Sequence, residues 1–170
     1  MARFTHLIPA GSAVLDVACG HGRHARLARS LGHPVTAVDI DTAGVADLTV
    51  DHGVTIVTVD LEAGAWPFKP AAFGAVIVAN YLHRPHFPHL AESLQAGGVL
   101  LVDTFAAGNE RHGRPRNPGF LLAPGELLTA FAGRLQVVAY ECGYEPLPRP
   151  AVRQRLCAVR GPDPVPLVAG

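Results

Sequence analysis

The sequence predicts an α/β fold built on one doubly wound, mostly parallel sheet, and three observations lead to it. Short β-branched apolar runs recur along the chain, and each stops at a polar residue. They are 14–17 before Cys19-Gly20, 35–38 before Asp39, 54–59 before Asp60, 75–79 before Asn80, and 99–102 before Asp103. The marker residues Asp16, Asp39, Asp60, Asn80 and Asp103 lie roughly 20 residues apart, about one strand–helix unit. Second, the runs are apolar throughout instead of alternating, as in parallel strands covered by helices on both faces. Third, the last two strand candidates, 135–140 and 152–159, are joined through Gly143 and a proline-rich bend at Pro146, Pro148 and Pro150. No helix fits in that gap, so the pair is antiparallel.

The intervening helices follow from their stop signals. The segment 23–31 is followed by Gly32 and Pro34, a helix C-terminus. Asp41 or Thr42 caps a short, weak second helix that contains Gly44. A third helix, 85–95, ends at Gly97-Gly98. A fourth, 124–131, opens on Pro124, carries Glu126 in its first turn and stops at Gly133. The expectation is a single domain over 1–170, with a short N-terminal segment (1–12) and a frayed tail (161–170).

Bulk composition narrows the function. A chain of 170 residues suits one core. With 49% hydrophobic and 16% charged residues it is not a disordered sequence. Lys plus Arg and Asp plus Glu are both 14, so the formal charge is zero and no nucleic-acid partner is expected. Cys19, Cys142 and Cys157 are too few and too scattered for a disulfide framework, which suits a reducing cytoplasm. No signal-peptide core and no run of ~18 apolar residues are present, so no membrane association is expected.

Chemistry concentrates in 14–25, Val-Leu-Asp-Val-Ala-Cys-Gly-His-Gly-Arg-His-Ala. A buried strand enters a small-residue turn and then a helix. Gly20 and Gly22 allow close backbone approach to a ligand, and the helix N-terminus offers N–H groups to a carboxylate or phosphate. Asp16 adds an acceptor suited to an ammonium. A carboxylate beside amide donors matches the zwitterionic end of an amino acid. Asp39, ending the second strand, suits a pair of ribose hydroxyls. Asp60 suits an adenine amino group, and Leu61 supplies a backbone N–H and an apolar wall. Gly20-x-Gly22-x-x-Ala25 also matches a dinucleotide fingerprint, but Asp16 would repel a pyrophosphate.

Residues 14–25 resemble the first motif of class I S-adenosylmethionine (SAM)-dependent methyltransferases. Residues 35–39 resemble their second strand with its ribose acid, and 59–61 their adenine-side acidic loop. Asn80-Tyr-Leu-His-Arg84 resembles the fourth-strand end of the tellurite-resistance methyltransferases and their relatives. Residues 120–128, containing Pro124-Gly125-Glu126-Leu127, resemble the region after their fifth strand. The resemblance implies a Rossmann-like seven-stranded sheet with an antiparallel C-terminal strand pair, SAM as cofactor and S-adenosylhomocysteine as product. It implies Asp16, Ala18, Cys19, Gly20, Gly22, Asp39, Ile40, Asp60, Leu61 and Asn80 as cofactor-binding residues. Ala18 stands where many members carry the first glycine. Members often use the segment before the first strand as a lid; here it is short, which leaves a homodimer open as a way to cover the site. Residues 141–153 lack the histidine that tellurite-type members place there.

The expected function is methyl transfer to a small-molecule acceptor (a thiol, oxyanion or hydroxyl) by in-line displacement. Tyr81, His83 and Arg84 are the acceptor-side candidates: His83 to take a proton, Arg84 to hold an anion. The loop 109–118, with Arg111, His112, Arg114 and Arg116, is expected to cover the acceptor and favour small anions. His86 and His89 form a histidine pair without a third ligand, so no metal is expected. His21, Arg23 and His24 are read as solvent-facing or packing residues. The alternatives are an NAD(P)-dependent oxidoreductase-like dinucleotide binder and a non-enzymatic SAM-binding protein.

Overall fold

The apolar runs pair side by side into one sheet of seven strands. They are β1 (Val14–Val17), β2 (Val35–Asp39), β3 (Val54–Thr58), β4 (Phe73–Ala79), β5 (Leu94–Phe105), β6 (Gln136–Glu145) and β7 (Ala151–Val159). The computed structural model describes residues 2–165. The strand order is β3-β2-β1-β4-β5-β7-β6. Strands β1 to β5 run parallel, while β7 is antiparallel to both β5 and β6. This is the doubly wound, Rossmann-like architecture with an antiparallel C-terminal pair.

Successive residues of a strand feed two different cores. Leu15, Val17, Val76, Val78, Leu100 and Val102 pack on one face with Leu90, Leu127 and Phe131. The last three come from α2 (Phe87–Glu92) and α3 (Glu126–Phe131). Val14, Ala37, Ala75, Ile77, Val99 and Leu101 pack on the other face with Ala25 and Ala28 of α1 (Arg23–Ser30). Each fully buried Leu, Val or Phe contributes about 1.5–3 kcal/mol, so the central strands are fixed by burial on both sides.

Four expected boundaries move. The second helix is a 3-10 segment, Ala43–Val50, in keeping with Gly44 inside it. The helix read over 85–95 is shorter: a 3-10 turn at Arg84–His86 leads into α2, and β5 already begins at Leu94. Gly97-Gly98 therefore lies within a strand. There it accompanies a register shift between Phe73 and Ala75, with Gly97 at φ +74°. The helix read from Pro124 starts at Glu126, because Gly125 takes φ +74° as its N-cap. Strand β6 runs five residues past Tyr140, since Glu141 to Glu145 continue to pair with β7.

The chain ends pack on the sheet's α1 face. Ile8 is buried there, with Phe4 and Leu7 against the same core. Residues 161–165 carry no regular structure, yet Val165 also packs on that core; 166–170 lie outside the described residues.

Topology positions the crevice. β1 lies between β2 and β4, so connections leaving its neighbours run in opposite directions. Loops at the carboxyl ends of such strands diverge and leave a cleft. Asp16 aligns with Ala37 and Ile77, and Ala79 aligns with Asp103. That register puts the ends of the first five strands along one edge.

Candidate active site

The glycine turn is stitched to its neighbours before any ligand is considered. Cys19 N–H donates to the Val38 carbonyl (3.0 Å), and Gly20 N–H donates to Asp39 Oδ2 (2.8 Å). Ala18 and Gly20 both sit at φ +52°, a conformation that favours glycine; Ala18 holds it as a strained residue. A Cβ on Gly20 would meet nothing within 4 Å, so the turn is open on that side. Gly22 differs. At φ +69°, a Cβ there would come within 2.5 Å of Val45 Cγ1. Gly22 therefore serves close packing of the turn against the 3-10 segment, and its approach is to Val45 instead of to a ligand.

Asp16 is 1% exposed. Its Oδ2 accepts the Ala25 N–H (2.8 Å), capping α1 from the strand below. Burial pushes its carboxyl up to about 7, opposed by the Ala25 N–H and the Arg23 charge. A buried carboxylate raised this far lacks an adequate cationic partner in the chain. Cys19 lies between Asp16 and Asp39, and burial plus those two acids push its thiol up to about 12. Such a thiol is not a nucleophile at neutral pH.

Two cavities adjoin along the strand edge. The first, about 340 Å³, is lined by Ala18, Asp39, Ile40, Val59, Asp60, Leu61, Glu62 and Tyr81. Asp39 also accepts the Asp41 N–H through Oδ1 (3.1 Å), and Asp60 accepts the Glu62 N–H (2.9 Å). Each carboxylate keeps lone pairs free for a ligand. Ile40 is 66% exposed; an aliphatic wall beside two acids fits a flat heterocycle carrying polar edges. The second cavity, about 290 Å³, is lined by Glu62, Asn80, Tyr81, Leu82, Thr104, Phe105, Pro115 and Phe120. Glu62 and Tyr81 belong to both.

The acceptor-side candidates separate. Tyr81 stands at the junction, its hydroxyl buried and without a hydrogen-bond partner among the described residues. Burial and the nearby Glu62 carboxylate push its phenol up. His83 lies beside the junction, with Nδ1 3.6 Å from Glu62 Oε2 and its ring 4.3 Å from that of His86. Arg84 is turned away from the cleft. Its guanidinium pairs with Glu126 and donates to the Gly119 and Leu121 carbonyls (2.8 and 2.9 Å). Those bonds occupy all three nitrogens, so Arg84 clamps the returning loop instead of holding an anion.

Asn80 lines the second cavity at φ +56°. Its Oδ1 accepts from Arg153 (2.7 Å), which also pairs with Asp103 (2.6 Å) and lies over the Phe105 ring. The loop 109–118 is anchored, not loose. The buried Asn109 amide donates to the Pro115 carbonyl and accepts the Val152 N–H. The loop contributes Pro115 to the cavity, whereas Arg111, Arg114 and Arg116 are exposed and do not line it. None of residues 2–12 lines either cavity.

Glu62, Thr104, Phe105, Pro115, Phe120 and Arg153 were missed by sequence reasoning. Glu62 had a signal: it follows Asp60-Leu61 directly. Arg153 had none, because its partners come from the β5–β7 register. His86 and His89 stand against Trp66, with ring centroids 5.0 and 5.8 Å away. Among the described residues no group of three or more His, Cys, Asp or Glu is arranged to hold a metal. No helix among them is long and apolar enough to cross a membrane.

A doubly wound sheet with acids at successive strand ends beside a glycine turn has the form of a nucleotide-binding cleft. Residues 14–98, half of the chain, match the family described as methyltransferase domain, and the chain belongs to that family. It is 34% identical over 116 residues to phthiotriol/phenolphthiotriol dimycocerosates methyltransferase 1 of Mycobacterium ulcerans, covering 62% of this chain and 42% of that one. The chain thus spans less than half of that relative's length. Its fold is similar to that of a SAM-dependent methyltransferase of Mesorhizobium loti (TM-score 0.75, 18% identity, 94% and 96% of the two chains). It is also similar to TehB of Haemophilus influenzae (TM-score 0.73, 18% identity, 91% and 59%). Family membership speaks against the oxidoreductase alternative.

Proposed function

We propose that this domain transfers the methyl group of SAM to a small-molecule acceptor seated in the 290 Å³ cavity. The observation that carries the reading is the junction. An acid-lined cavity with an exposed aliphatic wall opens onto a second, largely apolar cavity, and both share Glu62 and Tyr81.

The residues present fit the cofactor. Asp39 is placed for ribose hydroxyls, Ile40 and Leu61 for the adenine faces, and Asp60 for the adenine amino edge. Gly20 leaves room for the methionine part, and Asp16 lies beneath it as acceptor for the ammonium. When bound, SAM supplies a methyl group made electrophilic by its sulfonium. The chain's own contribution is placement: Tyr81 walls the passage between the cavities, while Leu82, Phe105 and Phe120 keep water from the acceptor. Positioning of this kind supplies at best about 7–11 kcal/mol of a two-substrate barrier. The three cysteines are free, which supports a reducing compartment, the cytoplasm.

Equilibrium titration with S-adenosylhomocysteine tests the reading, followed by transfer of labelled methyl to a panel of phenols, thiols and oxyanions. One-to-one binding with label on a small acceptor is expected. Absence of S-adenosylhomocysteine binding at millimolar concentration would overturn it.

A further inference from the structure

The acceptor cavity has a polarity of its own. Of its eight lining residues, five are Tyr81, Leu82, Phe105, Pro115 and Phe120, and Glu62 alone carries a charge. The guanidinium groups nearby are committed elsewhere, and the partner of Glu62 is His83, 3.6 Å away through Nδ1. Arg84 is held by Glu126 and two carbonyls. Arg153 is held by Asp103 and Asn80, so the Asn80 carbonyl oxygen is occupied as well. Arg111, Arg114 and Arg116 are exposed and absent from the lining. An anion entering this cavity meets the Glu62 carboxylate and no guanidinium. The anion-binding role expected of the loop is thereby replaced by its opposite.

We infer that the acceptor is an uncharged, mostly apolar ring compound bearing a hydroxyl, and that Glu62 is the catalytic residue that takes the hydroxyl proton. This rests on the methyltransfer reading above. Size agrees: an engineered cavity of ~150 Å³ holds benzene, so about 290 Å³ gives room for two fused rings. Pro115, Phe120 and Phe105 supply flat apolar walls, and Thr104 adds a neutral polar group. The acceptor hydroxyl lies between Glu62 and Tyr81, facing the adenosyl cavity. Its oxygen forms the bond to the methyl carbon as the carbon–sulfur bond breaks, with that electron pair passing to sulfur. The hydroxyl proton passes to Glu62 and from there to solvent. His83, 3.6 Å away through Nδ1, acts as a positioning residue that holds the carboxylate toward the junction.

The test uses 2-naphthol and its anionic counterpart 2-naphthoate on the protein saturated with S-adenosylhomocysteine, followed by fluorescence. The native protein is expected to bind 2-naphthol at least tenfold more tightly than 2-naphthoate. In Glu62→Gln, 2-naphthoate should gain at least fivefold while 2-naphthol changes less than threefold, so the discrimination collapses. Methyl transfer to 2-naphthol should fall by about 10²-fold or more. Equal or tighter binding of 2-naphthoate by the native protein, discrimination unchanged in Glu62→Gln, or no binding of either probe would overturn the inference. S-adenosylhomocysteine binding measured on the same samples stands apart. Its loss would sink the methyltransfer reading, whereas its retention confines a failure to the acceptor assignment.

Discussion

The two halves of the cleft are built by different means. On the cofactor side, most of the functional groups come from within three residues of the ends of β1, β2 and β3. Asp39 is fixed by its own neighbour and by Gly20, and Asp60 by Glu62. On the acceptor side, Pro115 and Phe120 come from a long excursion that follows β5. It is tied down by Asn109, by Arg84 and by the short parallel bridge of Ala106 with Leu122. Local chemistry makes the first half; long-range clamps make the second. Substitutions on the cofactor side should therefore change cofactor affinity, and those on the clamps should change acceptor turnover with the cofactor still bound.

The largest expected effect is at Asp39. Asp39→Ala removes the ribose acceptor and leaves the Gly20 N–H unpaired. Hydrogen bonds to a charged group contribute about 1.5–3 kcal/mol each, so S-adenosylhomocysteine affinity measured by calorimetry should fall at least a hundredfold.

Next comes Asp16, which adds a pH signature. Its carboxyl is raised to about 7 by burial. In the free protein it is mostly protonated below that pH, and an ammonium partner favours the ionised form. S-adenosylhomocysteine affinity should therefore drop about tenfold between pH 8 and pH 6. Asp16→Asn should weaken binding at pH 8 and abolish that pH dependence. Stability runs the other way. A raised carboxyl pKa contributes stability that is complete below the ordinary value of 3.8 and lost as pH rises through about 7. Asn can still accept the Ala25 N–H, so Asp16→Asn should raise the ligand-free melting temperature at pH 8 by several degrees.

Arg84→Ala tests the clamp. It frees the Gly119 and Leu121 carbonyls and strands Glu126, at a stability loss of about 1–3 kcal/mol. Turnover should fall about tenfold, with S-adenosylhomocysteine affinity within a factor of two. Equal losses in both would erase the distinction between the halves. The smallest effect belongs to Arg114→Ala with Arg116→Ala. Both side chains are exposed and outside the cavity, so KM for an uncharged acceptor should move less than twofold.

That contrast also explains what the sequence could disclose. Parallel strands buried on both faces write continuous apolar runs, and their ends carry Asp16, Asp39 and Asp60 at readable spacing. The architecture and much of the lining of the acid-rich cavity were legible for that reason. Gly20 and Gly22 looked alike in sequence, yet one is open and the other packs on Val45; only the fold of 43–50 distinguishes them. Arg84 looked like a ligand-facing cation because its partner Glu126 lies 42 positions away. Helix ends failed at 95–98 because a glycine pair reads the same at a helix stop and in a strand irregularity.

The central claim is that the acids ending β1, β2 and β3 converge on one adenosyl ligand, and a crystal structure with S-adenosylhomocysteine bound examines it most directly. The account predicts both ribose hydroxyls on Asp39, adenine between Ile40 and Leu61 near Asp60, and the amino-acid end over Gly20 and Asp16 with sulfur directed at Tyr81. Ligand density elsewhere, or a ribose out of reach of Asp39, would contradict it.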